Sequence, residues 1–265
     1  MPEGHTIHRL ARDHKRTLLG HHLGATSPQG RFAAGAARID GRRLERIQPV
    51  GKHLFYGFDS GEWLHVHLGL YGSFVTAPLP SPEPRGALRL RLRTDAVYVD
   101  LRGPTACELL PPAGKKGIEA RLGPDPLRVG ADPTRTWDRL QRSRIPIGAA
   151  LMDQSVLAGV GNVYRAELLF RHRVEPHRPS RELTEADWLA MWADLRTLMQ
   201  AGVRAGRIVT TRAADRSRRS GPARRDDAYY VYRRTDLPCR ICATPVRTEV
   251  MAGRNLYWCP VCQAR

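Results

Sequence analysis

The chain has 265 residues, enough for two modest domains that each bury a core of their own without help from disulfides. Its 43 basic side chains against 26 acidic ones leave a formal charge of +17, well beyond what solubility requires, which points to a polyanionic partner. No run approaches the roughly 20 apolar residues needed to cross a bilayer, and Met1 to Gly20 lacks the apolar segment of a signal peptide, so membrane and secreted classes are set aside and a cytoplasmic, nucleoid-associated chain is expected.

From Thr6 to Leu19 the apolar residues Ile7, Leu10, Ala11, Leu18 and Leu19 recur at roughly helical spacing, and Gly20 is placed to end the helix. The following stretch reads as strands broken by glycine and proline, with alternation at Leu88, Leu90 and Leu92 and again at Val97, Val99 and Leu101. This is a mainly β domain, interrupted by a proline-rich loop at 78–86. Leu122 to Asp132, also rich in proline and glycine, reads as a hinge. The expected divisions are therefore 1–121, a hinge at 122–132, a helical domain at 133–232 and a metal module at 233–265.

Pro133 to Arg173 predicts two or three helices, interrupted at Gly159-Val160-Gly161-Asn162. A further helix opens with a capping box, Thr184 to Asp187, and carries Trp188, Met191, Trp192, Leu195, Leu198 and Met199 on one face, which marks them as core. From Gly206 to Asp227 arginines crowd together with few apolar side chains and no periodicity. Two readings stay open there: a mobile loop at a nucleic acid, or a plain disordered linker.

Of the five cysteines, Cys107 stands alone and the others form two pairs, Cys239-x2-Cys242 and Cys259-x2-Cys262. That spacing lets two knuckles set four thiolates tetrahedrally around one Zn²⁺. Val246 to Val250, Gly253-Arg254-Asn255 and Leu256-Tyr257-Trp258 read as strand, turn and strand, a β-hairpin finger with Arg254 near its tip. Four cysteines leave no open coordination position, so the zinc is structural.

Gln154 to Glu167 has the form of a helix, a glycine turn and a second helix capped by Asn162. Such a turn aims backbone N–H groups and a helix N-terminus outward, where a phosphate fits, although a plain helix connector has the same outline. At the other end, removal of Met1 would expose the secondary amine of Pro2 beside the carboxyl of Glu3. An α-amino group titrates near 8 and a lysine near 10.4, so at neutral pH the terminal amine is free base roughly a hundred times more often.

Together these features resemble the formamidopyrimidine-DNA glycosylase and endonuclease VIII (Fpg/Nei) family. The resemblance rests on Met1-Pro2-Glu3-Gly4, Gly51-Lys52-His53-Leu54, His67-Leu68-Gly69-Leu70-Tyr71-Gly72, Leu122 to Leu127, the turn from Gly159 to Glu167, and Gly253-Arg254 ahead of the last cysteine pair. It implies an α+β fold: an N-terminal β-sandwich with a leading helix, a helix-two-turn-helix domain and the zinc finger. It implies a bifunctional glycosylase and abasic-site lyase acting on double-stranded damaged DNA as a monomer. The damaged nucleotide is flipped out, Pro2 displaces the base through an iminium, and Glu3 assists by proton transfer. Lys52 is then a proton carrier and phosphate contact, Arg254 grips the lesion phosphate and supports δ-elimination, and Asn162 clamps the backbone.

Leu70 and Tyr71 take the family's wedge position, where strand packing would account for the two side chains equally well, and Gly69 of the same motif and Arg102, in the place of the family's arginine motif, are implied at the DNA. Asp100-Leu101-Arg102-Gly103-Pro104 departs from the Asp-Pro-Arg-Arg-Phe-Gly of the formamidopyrimidine branch. With the Gly-His-Thr start and the Leu-Tyr wedge, this favours the endonuclease VIII branch and oxidised pyrimidines. Two other classes compete: a non-catalytic zinc-finger protein of the same fold that only binds DNA, and an RNA-binding zinc-ribbon protein.

Overall fold

The computed structural model describes residues 2–264, and the chain divides into two compact units, 1–121 and 122–265. Among the described residues no helix is long and apolar enough to cross a membrane.

The first unit opens with α1 (Gly4–Thr17), whose buried face carries Ile7, Ala11 and His14. Gly20, at φ +85°, takes the left-handed conformation needed to turn the chain into β1 (His22–Thr26). Then come α2 (Ala33–Ile39), β2 (Arg42–Val50), β3 (His53–Phe58), β4 (Trp63–His67), β5 (Ser73–Pro78), β6 (Leu88–Arg93), β7 (Val97–Arg102), β8 (Ala106–Leu110) and α3 (Pro112–Ala120). The two short helices fall in the domain expected to be mainly β, where no helix beyond the first was read. Their alanines, glycines and few large apolar groups give no period to read.

The strands pair antiparallel in the order β5-β7-β6-β1-β2-β3-β4-β8. β1 and β2 share only two residue pairs, His22 with Arg43 and Leu23 with Arg42, and this thin join lets the sheet fold over into a sandwich. Leu23, Leu90 and Val99 from one half meet Ile47, Leu54 and Val66 from the other, together with Ile7 and Leu18, in a single core. On the opposite face β3 and β4 carry Phe55 and Trp63, with the ammonium of Lys115 in α3 lying 5.3 and 4.7 Å from their rings.

The second unit holds α4 (Thr134–Gln141), α5 (Ile147–Ala150), α6 (Asn162–Arg171), α7 (Glu185–Ala205) and the hairpin β9 (Arg247–Met251) with β10 (Arg254–Trp258). The hydroxyl of Thr184 accepts from the Asp187 amide at 3.1 Å and so caps α7. Trp188, Met191, Leu195 and Met199 pack against Leu168 and Leu169 of α6 as the core of this unit.

The arginine-rich segment is neither a free loop nor a plain linker. Thr210, Thr211 and Asp227 are buried, and the Thr211 hydroxyl donates to the Asp227 carbonyl at 2.6 Å, closing the segment at its base. The fastening is Glu167, wholly buried on α6: its carboxylate accepts from the amides of Tyr230, Val231 and Tyr232, each at 2.8 Å, and from the Thr210 hydroxyl. Burial pushes its pKa up while these four donors pull the other way. Glu167→Ala leaves three buried N–H groups unpaired, a loss of about 3–5 kcal/mol. Limited trypsin digestion is expected to cut the variant within 207–227 far faster than the parent; equal digestion would show that Glu167 does not hold the segment.

His14 in α1 is buried and shares a 2.7 Å hydrogen bond between Nδ1 and the Tyr56 hydroxyl. Burial lowers its pKa from 6.5 to about 4, against the pull of Asp13. The unfolded chain therefore binds a proton there that the folded chain refuses, so this contribution is full above pH 6.5 and is lost as pH falls toward 4. The expected slope is about 1.4 kcal/mol per pH unit from this one group. Denaturant titrations from pH 4.5 to 6.5 should show a slope shallower by about one proton in His14→Gln.

Candidate active site and metal centre

In the first unit, Glu3 is the residue that starts α1: its carbonyl accepts from the Thr6 and Ile7 amides at 2.9 and 3.4 Å. Its side chain is 0 % exposed, while Pro2 beside it is half-buried. A carboxyl set at the head of a helix lies at the positive end of the dipole. Met1 lies outside the described residues, and the expectation that it is removed falls there.

Lys52 follows Gly51, at φ +57°, in the two-residue turn between β2 and β3. The next strand residue, His53, begins a line of imidazoles. His53 Nδ1 lies 2.8 Å from His65 Nε2, and His65 Nδ1 lies 2.8 Å from Glu108 Oε1, while His67 stands 4.9 Å from His53 ring to ring. Burial lowers the pKa of all three, that of His53 to about 3, so the trio is neutral at physiological pH.

Gly69, Leu70 and Tyr71 stand in the turn after β4, not in a strand, which removes strand packing as the explanation for the two side chains. Gly69 has φ +66°, and a Cβ there would meet the Thr105 hydroxyl at 1.8 Å. Leu70 is 41 % and Tyr71 88 % exposed, two large apolar groups held clear of the core. Arg102 ends β7 with one guanidinium nitrogen on Asp100 at 3.1 Å. The same carboxylate takes Arg91 through bonds of 2.6 and 2.9 Å, and a second nitrogen of Arg102 donates to the Arg85 carbonyl, so Arg102 has internal partners.

In the second unit, the turns between α5 and α6 are organised by Gln154. Its side-chain amide accepts from the Gly159 N–H at 3.0 Å and donates to the Val160 carbonyl at 2.9 Å. Asn162 does not cap α6: Gly161 holds the cap position and Asn162 is the first helical residue, buried at 6 % exposure. Its amide nitrogen donates to the Asn255 carbonyl of β10 at 2.8 Å, which fixes the zinc hairpin to the helix. Arg165, fully buried and not singled out from the sequence, joins the same node. It donates to the Met251 carbonyl at 3.1 Å, the Asn255 carbonyl at 3.3 Å and the Asn162 side chain. The one visible signal for Arg165 and Glu167 is two charges within an otherwise largely apolar stretch from Val163 to Phe170.

Arg254 is exposed at the start of β10, next to the tight turn through Ala252 and Gly253 at φ +52° and +68°. The four thiol sulfurs of Cys239, Cys242, Cys259 and Cys262 lie within 4.8 Å of one another, with 3.8 Å from Cys239 to Cys262 and 3.4 Å from Cys242 to Cys259. Zn–S bonds of about 2.3 Å in a tetrahedron put sulfurs about 3.8 Å apart, so the set fits one Zn²⁺. The amides of Ile241 and Cys262 point at Cys239 Sγ and Cys259 Sγ from 3.5 and 3.4 Å, as charged thiolates require.

Three family models cover most of the chain: the formamidopyrimidine-DNA glycosylase N-terminal domain over residues 1–107, its H2TH domain over 122–213, and the zinc finger found in FPG and IleRS over 236–265. Endonuclease 8 1 of Mycobacterium tuberculosis is 49 % identical over 267 residues, covering 99 % of this chain and 100 % of the relative. Formamidopyrimidine-DNA glycosylase of Thermus thermophilus is 34 % identical over 233 residues, 86 % of this chain and 85 % of that one. The crystal structure of MutM (Fpg) from the same species superposes with a TM-score of 0.79 at 29 % identity over 99 % of both chains. Lactococcus lactis Fpg, in its complex with an abasic-site DNA, shares the fold with a TM-score of 0.82 at 20 % identity over 99 % of this chain and 100 % of that one.

The chain belongs to the formamidopyrimidine-DNA glycosylase and endonuclease VIII family, DNA-repair glycosylases with an associated abasic-site lyase. Its sandwich, helix-two-turn-helix domain and hairpin zinc finger are the α+β architecture that the resemblance implies, with one structural zinc on four cysteines.

The zinc is expected to hold the hairpin, and the hairpin to hold Asn162 and Arg165. Removing the metal with a chelator at pH 7 should unfold β9 and β10, with loss of near-ultraviolet signal from Tyr257 and Trp258. An unchanged aromatic spectrum in metal-free protein would show that the node stands without zinc.

Proposed function

We infer that the protein excises oxidised bases, pyrimidines ahead of purines, from double-stranded DNA and then cuts the abasic strand, working as a monomer. The observation that carries this reading is Glu3, completely buried at the head of α1 with half-exposed Pro2 beside it. A buried carboxyl is out of place on a surface built only for binding, and is what an acid next to a nucleophile needs. The preference for pyrimidines is supported by the higher identity to a relative named endonuclease 8 than to those named formamidopyrimidine-DNA glycosylase, 49 % against 34 %.

Once Met1 is removed, the lone pair of the Pro2 nitrogen forms a bond to C1′ of a flipped nucleotide. The C1′–base bond breaks, and the base leaves with a proton. Glu3 assists by giving a proton to the sugar ring oxygen as the ring opens to an iminium. Lys52 contacts phosphate and carries protons in β-elimination, the C2′ proton leaving as the 3′ phosphate departs. Arg254, exposed and flanked by a tight turn, grips a phosphate and supports the δ step. Leu70 and Tyr71, from the turn that Gly69 makes possible, fill the vacated stack. Asn162 and Arg102 serve the backbone, Asn162 through the hairpin it anchors. The charge of +17 supplies the non-specific attraction.

The reading opposed to this one is a DNA binder without chemistry. Borohydride reduction on a duplex with an abasic site separates them. The parent should give a covalent adduct, and Pro2→Gly and Glu3→Gln should reduce it by about a hundredfold or more while leaving duplex affinity intact. Full trapping by both variants, or an active form that mass spectrometry shows still carrying Met1, would overturn the proline mechanism.

A further inference from the structure

The outer face of β2, β3 and β4 carries a cavity of about 330 Å³ that has no part in the reaction proposed above. Gly57 is its floor. It pairs with Arg46 of β2 on one side and with Trp63 of β4 on the other, and a Cβ at Gly57 would meet the Trp63 ring at 2.9 Å, so the bare backbone lets the indole lie across β3. A register shift between Leu44 and Arg46 re-aims β2, and the Arg46 guanidinium stands 5.8 Å from the centre of that same indole. Helix α3 forms the opposite wall with Pro112, Lys115, Lys116 and Glu119, which recur every three or four residues and so share one face of the helix. Gly57 lies five residues beyond Lys52, about 16 Å along an extended strand, so the cavity is separate from the turn that carries Lys52.

Charge is built into this cavity. Lys115 is 7 % exposed, with its ammonium 4.7 Å from the centre of the Trp63 ring and 2.7 Å from the Glu119 carboxylate. An apolar side chain of similar length would cover the indole without taking a cation out of water, so packing alone does not call for a lysine. Glu119 offsets one positive charge. Arg46 and Lys116 bring two more from the two walls, and among the described residues neither side chain has a hydrogen bond or an ion pair. The lining therefore holds three cations and one carboxylate, a surplus of two. A phosphomonoester carries nearly two negative charges at neutral pH, which matches that surplus. The volume stands at the lower end of ligand sites, which begin at about 300 Å³, and leaves room for more than the phosphate. Beside the cations lie an indole, a proline ring and the side-chain amide of Gln48, which can both donate and accept.

We propose that the cavity between α3 and the outer face of β2, β3 and β4 binds the phosphomonoester of a nucleotide, the phosphate between Arg46 and Lys116 and the base against Trp63, Pro112 and Gln48. Lys115 stays with Glu119 and sets the depth of the site. The phosphomonoester comes either from a free mononucleotide or from the phosphorylated end of a DNA strand, and both present the same group to the same cations. No bond is made or broken there.

The test is calorimetric titration of the full chain with thymidine 5′-monophosphate, followed in parallel by nitrogen–proton NMR of the indoles. One molecule should bind per chain, the Trp63 N–H signal, assigned through Trp63→Phe, should move, and thymidine without phosphate should bind at least about tenfold more weakly. Arg46→Gln and Lys116→Gln, both at exposed positions where folding is not at risk, should each weaken binding by about tenfold and leave single-turnover cutting of an abasic duplex unchanged. Lys15→Gln, which removes an exposed positive charge elsewhere, should bind as the parent does. A duplex with a recessed 5′-phosphate that moves the Trp63 signal, beside a 5′-hydroxyl twin that does not, gives the strand end as the source; a signal moved by the mononucleotide alone gives the free nucleotide. No binding at millimolar thymidine monophosphate, parent affinity in both Arg46→Gln and Lys116→Gln, or an equal loss in Lys15→Gln overturns the inference.

Discussion

The second unit depends on charges that have been taken out of water. Arg165 and Glu167 sit two residues apart on α6, both fully buried, and each satisfies its desolvation with backbone groups from distant parts of the chain. Arg165 gathers the carbonyls of the zinc hairpin; Glu167 gathers the amides that close the arginine-rich segment. A buried ion without such partners would cost several kcal/mol, so the surrounding segments cannot leave without exposing that penalty. One helix of ten residues thereby fixes two elements that lie far from it in sequence.

This arrangement also explains why structural zinc matters to a reaction it does not touch. The metal joins two thiol knuckles, and the hairpin between them delivers the Met251 and Asn255 carbonyls to Arg165 and Asn162. Arg254 lies between those two carbonyls in sequence, so its position follows from theirs. For the phosphate role proposed for Arg254, a strand tied down at neighbouring residues gives the side chain precision.

Much of this was legible in the chain of letters, and for local reasons. Helix α1, the alternating strands β6 and β7, the capped helix α7 and the four-cysteine finger all announce themselves through short-range periods or spacings. What was not legible depends on partners far away in sequence. Asn162 looks like a helix cap from its neighbours, yet its amide is taken by Asn255, 93 residues on. The arginine-rich segment lacks any period because polar bonds to Glu167 and Asp227, not a packed face, fasten its base. The imidazole line joins residues 12 and 43 positions apart, and only strand register brings them level. Helices α2 and α3 escaped because alanine and glycine carry no pattern.

Leu70 and Tyr71 have a consequence for how undamaged DNA would be passed over. In the wedge role proposed for them, both side chains already stand in water on a turn that only glycine permits, so no internal packing would have to be undone before they met a base step. The resistance they meet would then come almost entirely from the duplex itself. It would be lowest where a base pair is already weakened, so the search would be graded by the strength of stacking before any pocket inspects the base.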